Sequence, residues 1–437
     1  MRLLLVGDMH LGRRLPKAVR AFAEAEGLDP NGLLPEKAFL ATVDLAIRKR
    51  VKAVLFAGDL VEKMEDRFYA FPILEEGVRR LVEAGIEVLA VCGNHDVEAL
   101  PRLARRLAGF RILGEGGVWE SLDLEEEGWR LRVTGWSFPT RVVRENPFLS
   151  FPLEERPGEG IWIGLLHADL DGGGSPYAPV QRAQLEGSPL DAWFLGHVHK
   201  PEELSRGAAA GRGTGPFVGY LGSLQGLDAG EEGLHGPLLL ELGERSVFSL
   251  SREPVASLAF TTRTLELGED GCPLLEHGPL EDRLDWLHQR LVRELEELGE
   301  AWDVEVLGVR LRLKGRVREL GKIRKFLEKR LAERELRVGA RGTRVFVDKV
   351  VDRLRPYRGL GELVQGGGPL GRLAEKLRRL EEGGEGAEAL TRMLRGELGR
   401  IKGWDEGDWP PERVREEALV AGRGVLDALL QELEEGR

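Results

Sequence analysis

Residues 3–10 read LLLVGDMH, and four later runs repeat the plan: VLFAGD at 54–59, VLAVCGNHD at 88–96, IWIGLLH at 161–167 and AWFLGHVH at 192–199. Each is a short apolar run, as a strand buried on both faces should be, and each meets Asp, His or Asn where the strand gives way to a loop. Together they carry Asp8, His10, Asp59, Asn94, His167, His197 and His199 to strand ends. That pattern predicts one sheet edge lined with oxygen and nitrogen donors, where open α/β sheets place their sites. Five of the eight histidines (His10, His95, His167, His197 and His199) fall in these motifs. A lone histidine is more safely read as structural, but the joint placement points to a metal centre.

Moving outward, residues 36–50 carry Phe39, Leu40, Val43, Leu45 and Ala46 at helical spacing, and 73–84 repeat the pattern before the third run. Strand and helix in alternation predict crossover units and a mostly parallel sheet. From about residue 119 the pattern changes. LRVTGWSF at 131–138 alternates, and later strands follow closely, as in a mixed or two-sheet arrangement. The glycine-rich segment 207–215 predicts a loop tip before the strand FVGYLGS. Residues 304–313 alternate, 317–331 read as helix and 336–347 alternate again, giving a small β-α-β unit. The remainder predicts helices at 370–382, 387–402 and 411–435, amphipathic enough either to cover their own domain or to dock a partner helix. The expected division is 1–255, 256–355 and 356–437.

At 437 residues, two or three domains are expected. A hydrophobic share of 42% beside 31% charged residues describes a soluble protein. No apolar stretch reaches the length of a membrane span, and MRLLLVGD runs into a ligand motif without a cleavable signal pattern, so a cytoplasmic protein is expected. Cys92 lies inside a buried-strand pattern, far in sequence from the other cysteine, Cys272, and reads as a small apolar thiol. The net charge of -11 argues against a basic nucleic-acid coat. It leaves nucleic acid open, because divalent cations invert a local field and phosphates meet local patches. Arg13 and Arg14, and Arg102, Arg105 and Arg106, flank ligand loops; the other arginine clusters read as solvated faces.

Carboxylate, imidazole and carboxamide form a mixed donor set, suited to manganese, iron or zinc and poor for calcium. If residues 8–10 are extended, Asp8 and His10 face the same way and converge on one ion, and His197 and His199 serve neighbouring ions.

Asp-x-His, Gly-Asp, Gly-Asn-His-Asp, a single His and Gly-His-x-His, in that order over about residues 1–250, resemble the motifs of calcineurin-like metallophosphoesterases. The resemblance implies an α/β (α+β) fold: a four-layer sandwich of two mixed β-sheets flanked by helices, here followed by a small β-α-β capping domain and a helical tail. It implies two divalent ions, with manganese the expected one. Asp8, His10, Asp59 and His199 would hold the first; Asp59, Asn94, His167 and His197 the second, with Asp59 bridging. His95 resembles the family's non-ligand catalytic histidine beside the scissile phosphate. Two ions roughly 3.5 to 4 Å apart lower the pKa of a bridging water and clamp the transferring phosphoryl group.

Within the family the chain resembles the SbcD-type DNA repair nucleases, on GDMHLGR at 7–13, on GYLGSLQGLDAGE at 219–231 and on the β-α-β unit with its helical tail. That implies a two-metal exo- and endonuclease acting on DNA with an SbcC-like coiled-coil ATPase, the small domain helping to hold DNA and the tail docking on the ATPase. The related nucleases are often homodimers. The chain departs from the pattern at Leu60-Val61-Glu62, where Leu-Phe-Asp is common, and at Leu221, where proline is frequent. The alternatives are a phosphodiesterase for small nucleotides or phosphometabolites, and a DNA-end scaffold whose site is structural.

Overall fold

The computed structural model describes residues 1–126, 128–152, 160–200, 209–210, 216–242, 248–268, 272–333, 335–340, 342–401, 407 and 409–434. Most of the glycine-rich segment 207–215, and the last residues of the helices expected at 387–402 and 411–435, lie outside them. The chain divides into two compact units, Met1–Thr261 with Leu298–Val309 and Val338–Asp348, and Thr262–Glu297 with Arg310–Arg337 and Lys349–Arg437.

The first unit is built on strands β1 (Arg2–Val6), β2 (Ala53–Phe56), β3 (Glu87–Ala90), β4 (Phe110–Ile112), β5 (Trp119–Glu126), β6 (Trp129–Trp136), β7 (Ile161–His167), β8 (Ala192–Gly196), β9 (Ala209–Ala210), β10 (Phe217–Tyr220), β11 (Leu238–Leu242) and β12 (Phe248–Arg252). One sheet has the order β4-β3-β2-β1-β11-β12-β9 and the other β10-β8-β7-β6-β5. Both are mixed. β1 to β4 run parallel while β11 joins β1 antiparallel; β6, β7, β8 and β10 run parallel while β5 joins β6 antiparallel.

The uninterrupted apolar runs follow from this layering. Along β1, Leu3 and Leu5 face the other sheet, in a core shared with Leu55, Val133, Ile163, Leu165 and Phe194. Leu4 and Val6 face the opposite way, into a core with Val54, Phe56 and the helical residues Phe39, Val43, Leu74 and Val78. These last come from helices Pro35–Lys49 and Arg67–Glu83. The outer face of the second sheet is covered by Phe148, Phe151, Val180 and Leu185 around Trp162 and Trp193. Helices, sheet, sheet and an outer layer of loops and short helices make four layers, with the central strands β1, β2, β7 and β8 sealed on both faces while the edge strand β5 stays partly exposed.

Strands β13 (Leu258–Leu267), β14 (Val306–Val317), β15 (Arg337–Ala340) and β16 (Thr343–Pro356) form a further sheet in the order β13-β14-β16-β15, and contribute residues to both units. Within the first unit, Leu258, Phe260, Val306 and Phe346 join Val19, Phe22 and Leu33, with the Phe22 and Phe346 rings stacked at 4.7 Å. In the second unit, helices Leu360–Gly366, Gly368–Glu382 and Pro411–Glu434 share a core of Leu363, Ala374, Leu377, Leu426 and Leu430.

Several elements differ from expectation. The helix expected at 73–84 begins at Arg67 and carries Pro72 inside it, because the Asp66 carbonyl already accepts from the Tyr69 and Ala70 N–H groups and starts the coil upstream of the proline. The strand expected at 336–347 is two, β15 and β16, the second extended through VDKVVDRLRP, whose charges mask its alternation. Nor are β13 and helix Leu280–Ala301 among the elements expected: the β13 run is interrupted by Thr261, Thr262 and Arg263, whereas Leu287, Leu291 and Leu295 of the helix do recur at helical spacing and are buried.

Gly164 on β7 pairs with Trp193 on β8, and a Cβ there would lie 2.1 Å from the indole. Gly164→Ala should therefore destabilise by roughly 1–3 kcal/mol through overpacking, seen as a lower denaturant midpoint with an unchanged m-value.

Candidate metal centre

Parallel pairing inside each sheet brings the carboxyl ends of β1, β2 and β3, and of β7 and β8, together. Asp8 follows β1, Asp59 follows β2, Asn94 follows β3, His167 ends β7, and His197 and His199 follow β8. The loops are then tied to one another by their backbones. The Asp59 carbonyl accepts from both the Met9 and His10 N–H groups, at 3.0 and 2.9 Å, and Leu11 N–H donates to the Leu60 carbonyl at 2.9 Å. The His197 N–H donates to the Asp8 carboxylate, 3.1 and 3.2 Å from its two oxygens.

His10, Asp59 and His197 have φ values of 51°, 51° and 102°, left-handed conformations that non-glycine residues adopt at some cost. This corrects the expectation of an extended 8–10 segment: His10 meets its partners through a kink in the backbone, not through the pleat. Two glycines make room. A Cβ at Gly93 would lie 2.1 Å from Asp59 Oδ1, and one at Gly58, itself at φ 95°, would lie 2.6 Å from His167 Nδ1.

The side chains converge around Asp59. His167 Nε2 lies 3.3 Å from Asp59 Oδ2 and 3.0 Å from Asn94 Oδ1. On the other side, His10 Nε2 is 3.9 Å from the same Asp59 oxygen and 3.0 Å from His199 Nε2. His199 Nε2 is in turn 4.0 Å from Asp8 Oδ1. His197 joins through its ring, 5.3 Å from that of His167 and 5.1 Å from that of Tyr177. Asp8, His10, Asp59 and His167 are at most 2% exposed. Donor atoms of Asp8, His10 and His199, and of Asp8, Asp59 and His167, lie within 4.8 Å of one another. Buried carboxylates facing imidazole nitrogens across such distances fit divalent cations, which would offset charge that burial otherwise makes costly.

Residues 1–201 match the calcineurin-like phosphoesterase family. They form a calcineurin-like metallophosphoesterase domain. The chain is 30% identical over 203 residues to "Uncharacterized metallophosphoesterase YhaO" of Bacillus subtilis, covering 46% of this chain and 48% of that one. It is 28% identical over 222 residues to "DNA double-strand break repair protein Mre11" of Aeropyrum pernix, covering 46% and 49%. To the D component of the nuclease SbcCD of Bacillus subtilis it is 24% identical over 289 residues, covering 56% and 71%. The chain thus spans about half the length of the first two relatives.

The phosphoesterase domain supports its donors with residues that the strand-end pattern did not single out. Glu231 Oε1 sits 2.8 Å from His199 Nδ1, and its other oxygen accepts from the Ser223 hydroxyl at 3.0 Å and the Leu227 N–H at 2.9 Å. This fixes the His199 ring with Nε2 turned to the centre, the carboxylate-histidine arrangement that orients metal ligands. Asp96, fully buried, accepts from the Leu60 N–H at 2.7 Å and the Gly93 N–H at 2.9 Å, joining the second and third ligand loops. Glu62 lies 2.8 Å from His10 Nδ1. Its sequence signals are its place three residues after Asp59 and the departure of Leu60-Val61-Glu62 from the expected run, and neither shows what it touches. Glu231 closes the GLDAGE run and Asp96 the GNHD run, yet neither position by itself reveals what it touches.

His95 stands apart from the ligand cluster. Its N–H donates to Asp59 Oδ1 at 2.9 Å, its Nδ1 to the Glu62 carbonyl at 3.0 Å, and its ring centre is 5.0 Å from that of His10.

Charge is balanced among these groups. Burial alone would push the Asp59 carboxyl up, but His167, then His10 and His95, hold it well below the ordinary range. Burial alone would push His167 down; Asp59 and Asp8, with the Ala57 carbonyl, hold it up at about 9. Burial, and then the neighbouring His167, lower His197 to about 4. Burial and the Asp59 charge raise Asp96 against its two backbone donors. Contact with His10 comes first among the causes that hold Glu62 down at about 2.

Two expectations follow. Asp96→Ala leaves two buried N–H groups unpaired and should cost roughly 1–3 kcal/mol for each, read as a shift in chemical unfolding that Asp96→Asn, which keeps one acceptor oxygen, only partly reproduces. Glu231→Ala should weaken divalent-cation binding by roughly 10–100-fold, measured by calorimetric titration with manganese as the probe.

Proposed function

We propose that the chain is a two-metal DNA phosphodiesterase, an exo- and endonuclease of DNA repair that works with an SbcC-like ATPase. The observation that carries the reading is the convergence of His10, His199, Asn94 and His167 around the buried Asp59 carboxylate. The similarity to a nuclease component and to a break-repair protein favours DNA as the substrate. In this reading Asp8, His10, Asp59 and His199 hold one ion and Asp59, Asn94, His167 and His197 the other, and manganese suits the mixed donors. When bound, the ions supply an ionised water at neutral pH and a positive clamp on the phosphoryl oxygens.

The chain's own residues do the rest. Asp59, shared by both donor groups, offsets the charge of two adjacent cations. Asn94 adds an oxygen donor without further negative charge. His95 is held through Nδ1, since a carbonyl can only accept, so its Nε2 is left to face the phosphodiester. In the imidazolium form that nitrogen stabilises charge on the phosphoryl group or protonates the leaving oxygen. Region 256–355 is proposed to hold DNA and 356–437 to dock the ATPase coiled coil. Exposed Val420, Val425 and Leu433 on the last helix favour the second assignment. Among the described residues no helix is long and apolar enough to cross a membrane.

The test is manganese-dependent cleavage of end-labelled DNA, single- and double-stranded, with and without the ATPase. Wild type should cut, His95→Ala should lose roughly 10²–10⁴-fold of the rate, and Asp59→Ala should be inactive. Rapid turnover of small diesters that DNA does not inhibit, with no cleavage of DNA, would overturn the nuclease assignment.

A further inference from the structure

We infer that Glu62 is a positioning residue that orients two histidines of the centre at once, one through its carboxylate and one through its main chain. The inference rests on the two-metal reading above.

Glu62 Oε2 lies 2.8 Å from His10 Nδ1, on the opposite edge of the ring from the Nε2 that faces His199. The contact falls short of a well-directed hydrogen bond, and neither atom has any other hydrogen-bond partner. The carboxylate can only accept, so it selects the His10 tautomer with the proton on Nδ1 and a lone pair on Nε2. The carbonyl of the same residue accepts from His95 Nδ1 at 3.0 Å, which selects the corresponding tautomer there.

The main chain of Glu62 is itself fixed from the His10 side. Its N–H donates to the Leu11 carbonyl at 3.0 Å, and Leu11 and Val61 form a parallel bridge. A shift of the first ligand loop would therefore carry Glu62 and the His95 ring with it. Arg13 Nη1, 3.6 Å from the same carboxylate oxygen, offsets part of its charge, and the side chain is 14% exposed. Donor atoms of His10, Glu62 and His95 do lie within 4.8 Å of one another, but His95 Nδ1 is committed to a carbonyl and His10 Nε2 to the other side of its ring. The trio is a support for the neighbouring donors and not an ion site of its own. From this loop the glutamate side chain is long enough to reach the His10 ring.

Calorimetric titration of manganese into the ion-free protein separates the outcomes without any nuclease assay. Wild type should take up two equivalents. Glu62→Ala should keep both with one weakened by roughly 10–100-fold, and Glu62→Gln, whose amide oxygen can face His10 Nδ1–H as the carboxylate oxygen does, should recover most of that loss. A purely structural role would lower the melting temperature of the ion-free protein while leaving both affinities untouched, and that result overturns the inference. So does a third equivalent in wild type that Glu62→Ala removes, since the trio would then bind an ion. Asp59→Ala is the reference: if it too binds like wild type, the two-metal reading fails, and the role of Glu62 fails with it.

Discussion

The centre depends on one buried carboxylate. Asp59 is 2% exposed, sits in a left-handed conformation and uses nearly every polar atom it has. Its carbonyl takes two N–H groups of the first ligand loop; its side chain meets the N–H of His95 and stands between His167 and His10. An ionised group so placed is tolerable only if positive charge surrounds it. Without ions a protonated His167 supplies some of that charge; the geometry fits cations that would supply it instead, with the imidazoles as neutral donors. The close approach of Gly58 and Gly93 follows from the same crowding, because no Cβ fits beside Asp59 and His167.

Such crowding needs a stiff frame, and the two-sheet sandwich supplies one. Strands sealed on both faces cannot slip by one residue without exchanging the two cores that Leu3 and Leu4 enter on opposite sides of β1. Register therefore fixes where each strand ends. His167 pairs with Gly196, so that His197 emerges beside it from the adjacent strand. Backbone bonds between loops then convert this register into side-chain positions, and a second layer of Glu62, Asp96 and Glu231 holds rings and loops in place. The donors are thus positioned by strands and only finished by loops, the order that gives a site its precision.

The C-terminal helices rest on a different principle. Their core of Leu363, Ala374, Leu377, Leu426 and Leu430 is small, and charged groups reinforce it: Arg316 forks onto Asp427 at 2.8 to 3.1 Å. Helix Pro411–Glu434 approaches helix Gly368–Glu382 closely at Gly422, where a Cβ would lie 2.5 Å from Leu377. One face of the last helix is spent on this packing, while Val420 and Val425 stay exposed.

The sequence by itself determined the strands that carry the donors and the residues that end them. Burial on both faces forces a run of apolar residues, and a polar residue at its end stands out against that run. It also marked one helix between β1 and β2 and one between β2 and β3, whose apolar positions recur with the helical period, but not the helix Lys17–Ala25 that precedes them. It could not mark β16 beyond Val347 or the start of the helix at Arg67, where charges or a proline obscure the period while tertiary contacts and a backbone acceptor set the outcome. Nor could it assign Glu62, Asp96 or Glu231. Each is an ordinary acid in a loop, and what distinguishes it is a contact with a residue 36 positions away for Leu60 and Asp96, or 32 for His199 and Glu231. The left-handed turns at His10, Asp59 and His197 belong to the tertiary structure for the same reason. Local preference disfavours them, and only the hydrogen bonds and packing between loops make them the stable choice.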